Sequence, residues 1–392
     1  PVAILQKAVG QQQQQGGRYV VDPDLGRYVN EVGQRLAALS DRPGLPYEFV
    51  VINNNVPNAW ALPGGKIAIN RGLLVELEDE AQLAAVLGHE VVHVAAKHSV
   101  QKMQQAQLIG LGMLAAGVLT KDSDYGAAAT LGVGLGASLW SAKYGRDQEL
   151  QSDEVGMKYM VDAGYDPRAA VELQETFVRL SEQRGQSNWL EGLFASHPPS
   201  QERVEKNQST AAAIGALGTR NATAYRSAIA QIKRDQPAYD RQQQAMATLE
   251  TGDLDKALGL LDEAIALQPQ EALFYAAKGK ILLTQKKDSR AAAAFTQAKR
   301  LNPDYFMGHL GLGIIEKKQA RYDQAKANLM ASQKLLPTQT ANFYLGEIAL
   351  QEGNSKDATT YFKAVAEQGG ELGEKAQTYL ISMGVMEAPA PQ

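Results

Sequence analysis

The chain has 392 residues, of which 44% are hydrophobic and 21% charged, with a net charge of −4 and no cysteine. That length exceeds the usual reach of one hydrophobic core, so two domains of ordinary globular composition are predicted. The mild acidity and the lack of any Lys or Arg run predict no nucleic-acid partner, and without cysteine there can be no disulfide, thiolate nucleophile or Cys-ligated zinc.

The chain starts at Pro1 rather than Met, which reads as a processed or a trimmed chain and leaves room for an export signal that has been removed. Gln11–Gln15 is a low-complexity patch, expected as a surface helix or flexible end within an N-terminal segment of residues 1–18. Asp22–Leu39 has helical spacing, and Tyr47–Asn53 is a β-rich run. Asn58–Leu62 and Lys66–Asn70 read as two short strands joined by Pro63-Gly64-Gly65. The second of them, with Lys66, Ile67, Ala68, Ile69 and Asn70, is expected to be an exposed edge to which an extended peptide adds as a further strand. From Asp79 a strongly apolar helix begins, with Asp79 as N-cap and Gln82 in the capping-box position.

That helix carries "GHEVVHVAAKH", residues 88–98, which holds three of the five histidines. His89 and His93 are four apart, hence one turn apart on one face, and both imidazoles can reach one ion. Glu90 lies next to the first histidine and can deprotonate water that the metal activates, which is the HExxH arrangement of zinc hydrolases. His98 lies five past His93, about 140° further round a regular helix, so it is read as a solvent-facing or capping histidine. The longer HExxHxxGxxH pattern is excluded because Ser99 stands where a third histidine would be needed.

A third ligand must come from elsewhere. The apolar stretches Leu108–Thr120 and Ala127–Trp140 supply none. Both are shorter than the ~18–20 residues that span a bilayer, and Lys121, Asp122 and Asp124 lie between them, so no transmembrane helix and at most peripheral membrane contact are expected. The Gly- and Ala-rich parts Leu108–Gly117 and Ala127–Gly136 read as amphipathic or buried helices beside the cleft. Among several carboxylates, Glu149 and Asp153 in "RDQELQSDE" stand out because they are one helical turn apart. Glu149 could bind the metal while Asp153 orients a ligand imidazole.

The C-terminal part is repetitive. Pro269, Pro303 and Pro337 are 34 residues apart, as are Ala257, Ala291 and Ala325, and a large residue stands four past each alanine (Leu261, Phe295, Leu329). This is the tetratricopeptide period. The repeats are placed at Ala238–Glu271, Ala272–Tyr305, Phe306–Thr338 and Gln339–Glu371, with a terminal helix after them.

"GHEVVH" followed by "YGRDQELQSDE" resembles the HtpX-like zinc endopeptidases, the gluzincin group that includes the CAAX prenyl protease and the mitochondrial Oma-type enzymes. "NAWALPGGKIAINRGLL" and "SHPPSQERV" are similar to two further stretches of that family, and the repeats narrow the resemblance to BepA-like periplasmic proteases. The resemblance implies that His89, His93 and Glu149 bind one Zn²⁺ and that Glu90 is general base. It makes Asp153 a supporting group behind a ligand and Arg203 an electrostatic support. His197 would lie near the metal, stabilising the oxyanion or occupying the open zinc position at rest. It also implies a periplasmic location, polypeptide substrates and a protein partner on the repeats.

The predicted architecture is therefore an α+β zinc metallopeptidase domain, mostly helical with a small sheet, over residues 19–236, then an all-α tetratricopeptide solenoid over 237–386 and a flexible tail over 387–392. The predicted function is endoproteolysis of unfolded or misfolded envelope proteins, the alternative being an assembly chaperone or scaffold with an occluded, autoinhibited protease site.

Overall fold

The computed structural model describes residues 13, 16–102, 104, 144–182, 194, 196–215 and 217–387. The segments Leu108–Gly117 and Ala127–Gly136 and residues 388–392 lie outside the described residues. The chain forms two compact units: Asp22–Arg234 with Pro1–Ala8, and Asp235–Gln392 with Val9–Val21. Residues 9–21 therefore belong with the repeats, although the sequence places 1–18 as a segment of its own and starts the peptidase domain at 19.

In the first unit, α1 (Pro23–Ala38) starts where Asp22 accepts from the amides of Asp24 and Leu25, with Pro23 in the first turn, where a missing N–H costs nothing. Three strands follow: β1 (Glu48–Ile52), β2 (Ala59–Leu62) and β3 (Lys66–Asn70). The order is β1-β3-β2, β3 running parallel to β1 and antiparallel to β2. This overturns the expectation for Lys66, Ile67, Ala68, Ile69 and Asn70, which form the central strand. The β2–β3 hairpin is local and legible, whereas the pairing of Glu48 with Lys66 closes a loop of 18 residues and leaves no local signature. Both backbone edges of β3 are consumed, and Lys66 is paired with Glu48 at 2.7 Å.

After the short helix α2 (Arg71–Leu74) comes α3 (Glu80–Ala95), buried at every position except His89. Asp79 caps it by accepting from the Gln82 amide at 2.9 Å, while Gln82 Oε1 accepts from Glu78 N, one residue before the cap. Glu80, in the first turn, is buried and receives Arg35 (2.8 Å), Tyr165 (2.7 Å), Asn221 (3.0 Å) and the Tyr28 hydroxyl. Four donors from separate parts of the unit offset the desolvation of this carboxylate, and together they clamp the start of α3.

The helices around α3 are α4 (Arg146–Asp162), α5 (Arg168–Glu182), α6 (Gln201–Ile214) and α7 (Ala222–Ala228). α3 and α4 cross at two glycines. A Cβ on Gly88 would lie 3.1 Å from the Gly156 carbonyl oxygen, and one on Gly156 would lie 2.9 Å from the His89 amide nitrogen. Glycine inside a helix costs up to about 1 kcal/mol against alanine. Here it lets the two backbones touch. Among the described residues no helix is long and apolar enough to cross a membrane.

The boundary between the units falls within α8 (Ala230–Glu250). The second unit then consists of α9 (Leu254–Leu267), α10 (Ala272–Thr284), α11 (Asp288–Leu301), α12 (Phe306–Lys318), α13 (Tyr322–Leu335), α14 (Gln339–Gln351), α15 (Ser355–Ala366) and α16 (Gly370–Ser382). The repeat positions have a direct packing meaning. Phe295 fills the space over Gly279, where a Cβ would come within 2.8 Å, and Phe362 does the same over Gly346. Ala257, Ala291, Ala325 and Ala358 are all fully buried between the helices.

Gln13 is buried rather than a surface residue. Its Nε2 donates to the Asp304 carbonyl at 2.6 Å and its Oε1 accepts from the Phe306 amide at 3.0 Å. Phe306 opens α12, whose N-cap Tyr305 provides no side-chain acceptor. A glutamine from the other end of the chain therefore caps this helix.

Candidate metal centre

The touching of α3 and α4 at Gly88 and Gly156 decides which side chains meet. His89 and His93 leave one face of α3, and Glu149 and Asp153 leave the facing turns of α4. His197, just before α6, completes the group: the ligand atoms of His89, His93, Glu149 and His197 all lie within 4.8 Å of one another. His93 Nε2 is 3.0 Å from His89 Nε2, and His197 Nδ1 is 3.3 Å from that same atom and 3.0 Å from Glu149 Oε1. Glu149 Oε1 is 3.4 Å from His93 Nε2.

These separations fit an ion. Zn–N bonds of about 2.0–2.1 Å around a tetrahedral centre put neighbouring donor atoms roughly 3.3–3.4 Å apart. Two imidazoles and a carboxylate, with a further imidazole beside them, form a donor set suited to Zn²⁺.

Glu90 points into the same space, its Oε1 3.4 Å from His197 Nε2. It is 2% exposed, and burial pushes its carboxyl upward despite the opposing charges of His197 and His89. A carboxylate with a raised pKa is a stronger proton acceptor, as a general base requires.

Behind the cluster, Asp153 Oδ1 is 2.9 Å from His89 Nδ1 and fixes the orientation of that ring. Arg203, from α6, donates to Asp153 through Nε and Nη2, each at 2.7 Å, and its Nη1 lies 2.8 Å from Glu149 Oε2. Burial alone would raise Asp153, but the guanidinium outweighs it and holds the carboxyl below its ordinary value. Glu149 is also buried, yet the charges of His197 and His89 and the hydrogen bonds from His197 and His93 hold it well below the usual range. Burial works the other way on His93 and keeps it neutral, which is the form that can ligate.

His98 is not a solvent-facing residue. It is 1% exposed, with Nδ1 3.0 Å from His93 Nδ1 and Nε2 3.1 Å from Gln151 Oε1. The angular argument fails because α3 ends at Ala95 and Lys97 adopts φ +61°, which folds the chain back onto the helix. Tyr144, which sequence reasoning also passes over, lies against the His93 ring with centroids 3.9 Å apart and shares a hydrogen bond with Ser99. Among the described residues, the structure thus brings His89, Glu90, His93, Glu149, Asp153, His197 and Arg203 together. Lys66–Asn70 stays in the middle of the sheet.

Paired imidazoles one turn apart, a carboxylate from a second helix and a buried glutamate beside them define a zinc metalloendopeptidase, and this chain is one. Residues 23–211 match Peptidase family M48, and residues 243–306 and 310–371 match the tetratricopeptide repeat. The beta-barrel assembly-enhancing protease of Escherichia coli is 26% identical over 335 residues, covering 76% of this chain and 68% of that protein. The mitochondrial metalloendopeptidase OMA1 of Schizosaccharomyces pombe is 32% identical over 179 residues, covering 46% of this chain and 51% of that protein. Metalloprotease YcaL of Escherichia coli is 29% identical over 181 residues, 45% of this chain and 68% of its own.

Proposed function

We propose that this zinc endopeptidase hydrolyses peptide bonds in unfolded or misfolded envelope proteins in the periplasm. Its repeats would recruit those substrates or a partner in outer-membrane assembly. The observation that carries the chemistry is the convergence of four ligand atoms within 4.8 Å with buried Glu90 beside them. The cellular setting is supported by the similarity to a beta-barrel assembly-enhancing protease across both kinds of domain.

In this reading His89, His93 and Glu149 hold the ion. Zinc supplies Lewis acidity that polarises the scissile carbonyl and lowers the pKa of water to about 7. Glu90 takes the proton of the attacking water and passes it to the leaving amine. Asp153 keeps the His89 proton on Nδ1, so that Nε2 stays free to ligate. Arg203 neutralises the two buried carboxylates that would otherwise repel each other. The outer strand β2 has β3 as its one strand neighbour among the described residues, and its Ala59 lines the same cleft as Glu90. It is the place for an extended substrate to pair.

A second reading has a specific support. His197 Nδ1 lies among the ligand atoms rather than beside them, 3.0 Å from Glu149 and 3.3 Å from His89 Nε2. A fourth protein group there would close the position that substrate needs, giving an autoinhibited protease that serves as an assembly chaperone or scaffold until His197 leaves. His197→Ala separates the two: higher peptidase activity supports the closed state, and equal or lower activity removes it.

Glu90→Gln tests the main reading. The variant keeps the shape of the side chain and should bind one zinc per chain while losing about 10²–10⁴-fold in cleavage of an unfolded protein. Proteolysis at the wild-type rate would remove Glu90 as the base.

A further inference from the structure

The two histidines of α3 are supported differently. His89 donates its Nδ1 proton to an anion, the Asp153 carboxylate, which Arg203 holds in place. Behind His93 stands another imidazole. His98 Nδ1 is 3.0 Å from His93 Nδ1, and His98 Nε2 is 3.1 Å from the amide oxygen of Gln151. Both rings are 1% exposed.

The polarity of this chain of contacts follows from its ends. His93 Nε2 faces His89 Nε2 and Glu149 in the cluster, so when it ligates it carries no proton. The neutral His93 ring then bears its proton on Nδ1 and donates it to His98 Nδ1. That nitrogen accepts, so His98 carries its own proton on Nε2 and donates it to Gln151 Oε1, an atom that only accepts. Every donor meets an acceptor in a single arrangement with no charged member. Reversing the His93–His98 link sets a proton against a proton or a lone pair against a lone pair between two buried rings. Gln151 stands on α4 between Glu149 and Asp153, so the same helix that brings a candidate ligand also closes the relay.

We propose that His98, together with Gln151, is a positioning residue for the metal centre: the relay fixes the His93 tautomer and ring angle so that Nε2 presents its lone pair to the ion. The proposal rests on His93 being a ligand. It explains why the chain reverses at Lys97, since the turn with φ +61° is what returns His98 to the back of His93. Tyr144 covers the face of the His93 ring while His98 holds its edge, so the ring is fixed in both directions. Because the relay is neutral, His93 should be a weaker electron donor than His89, whose partner is a carboxylate.

The test measures the Zn²⁺ dissociation constant of the full chain, by competition with a chromophoric chelator at one pH, alongside thermal unfolding of the zinc-free protein. His98→Leu keeps the bulk and removes the acceptor, and should weaken zinc binding by about 10–100-fold, the usual effect of losing such a support. His98→Asn places an amide oxygen near the position of Nδ1 and should recover most of the affinity. Gln151→Leu should weaken binding in the same direction, and Gln151→Glu, which makes the relay anionic, should tighten it. Should His98→Leu fold poorly, the two Gln151 variants carry the test. Wild-type affinity in His98→Leu, equal weakness in the Leu and Asn variants, or no opposite response of the Gln151 pair would each overturn the relay. His93→Ala serves as the reference: stoichiometric zinc in that variant would overturn the ligand role itself, a different failure from that of the relay.

Discussion

Gly156 and His89 touch through the backbone: a Cβ built on Gly156 would stand 2.9 Å from the His89 amide nitrogen. The first α3 histidine therefore depends on a residue that carries no chemistry. Gly156→Ala must push α4 away from α3 and with it Glu149 and Asp153. The expected loss is about 1–3 kcal/mol of stability, as for other overpacked contacts. Zinc affinity should fall with it, since the donor atoms separate. Measuring zinc binding and thermal unfolding of this variant checks both, and unchanged affinity would show that the crossing does not set the donor distances.

Arg203 is the cation between two buried carboxylates, bonded to Asp153 twice and in contact with Glu149. Removing it leaves those charges uncompensated, and Arg203→Ala should cost about 3–5 kcal/mol. Arg203→Lys keeps the charge but not the planar fork, so it should recover only part of the loss. Chemical denaturation of the three proteins orders them, and a lysine variant equal to wild type would mean that charge alone suffices.

Glu80 gives a pH dependence whose sign is definite. Burial would raise its pKa, but hydrogen bonds from Tyr165, Tyr28, Asn221 and Arg35 lower it below the ordinary carboxylate value. A depressed folded-state pKa stabilises the fold above the unfolded value and loses that contribution as pH falls through the folded one. The melting temperature should drop on acidification from the ordinary carboxylate range downward. In Glu80→Gln it should start lower and respond less to pH. A mutant that follows the wild-type profile in parallel would assign the acid sensitivity to other groups.

Gln13 makes a prediction for the repeat unit. Gln13→Ala uncaps the Phe306 amide and frees the Asp304 carbonyl, two groups bonded by one side chain. About 1–3 kcal/mol of stability should be lost from that unit. Hydrogen exchange at the start of α12 reads this locally, and unchanged protection there would remove the cap.

Much of this molecule is written in short-range pattern. A four-residue spacing puts His89 and His93 on one face, a second one puts Glu149 and Asp153 on another, and the 34-residue period marks helices whose small and large residues meet as Gly279 and Phe295 do. What escapes is set by chain reversal and distant pairing. His98 reads as remote because the helix is taken as regular, yet Lys97 breaks it. Lys66–Asn70 reads as an outer strand because its parallel neighbour Glu48–Ile52 leaves no hairpin signal. Gln13 reads as low complexity because its partners are 291 and 293 residues away.

Residues 9–21 share a compact unit with residues 235–392, and residues 1–8 and 22–234 form the other. In connectivity the chain alternates between the units, leaving the repeat fold after Val21 and returning to it at Asp235. A single nick between Val21 and Asp22 would leave the N-terminal fragment bound to the repeats as a non-covalent complement. A fragment that begins at Asp235 would expose the first amide of α12 and the aromatic surface at Tyr305 against which Gly17 rests. A self-contained repeat half is therefore made by joining residues 9–21 directly to residues 235–392.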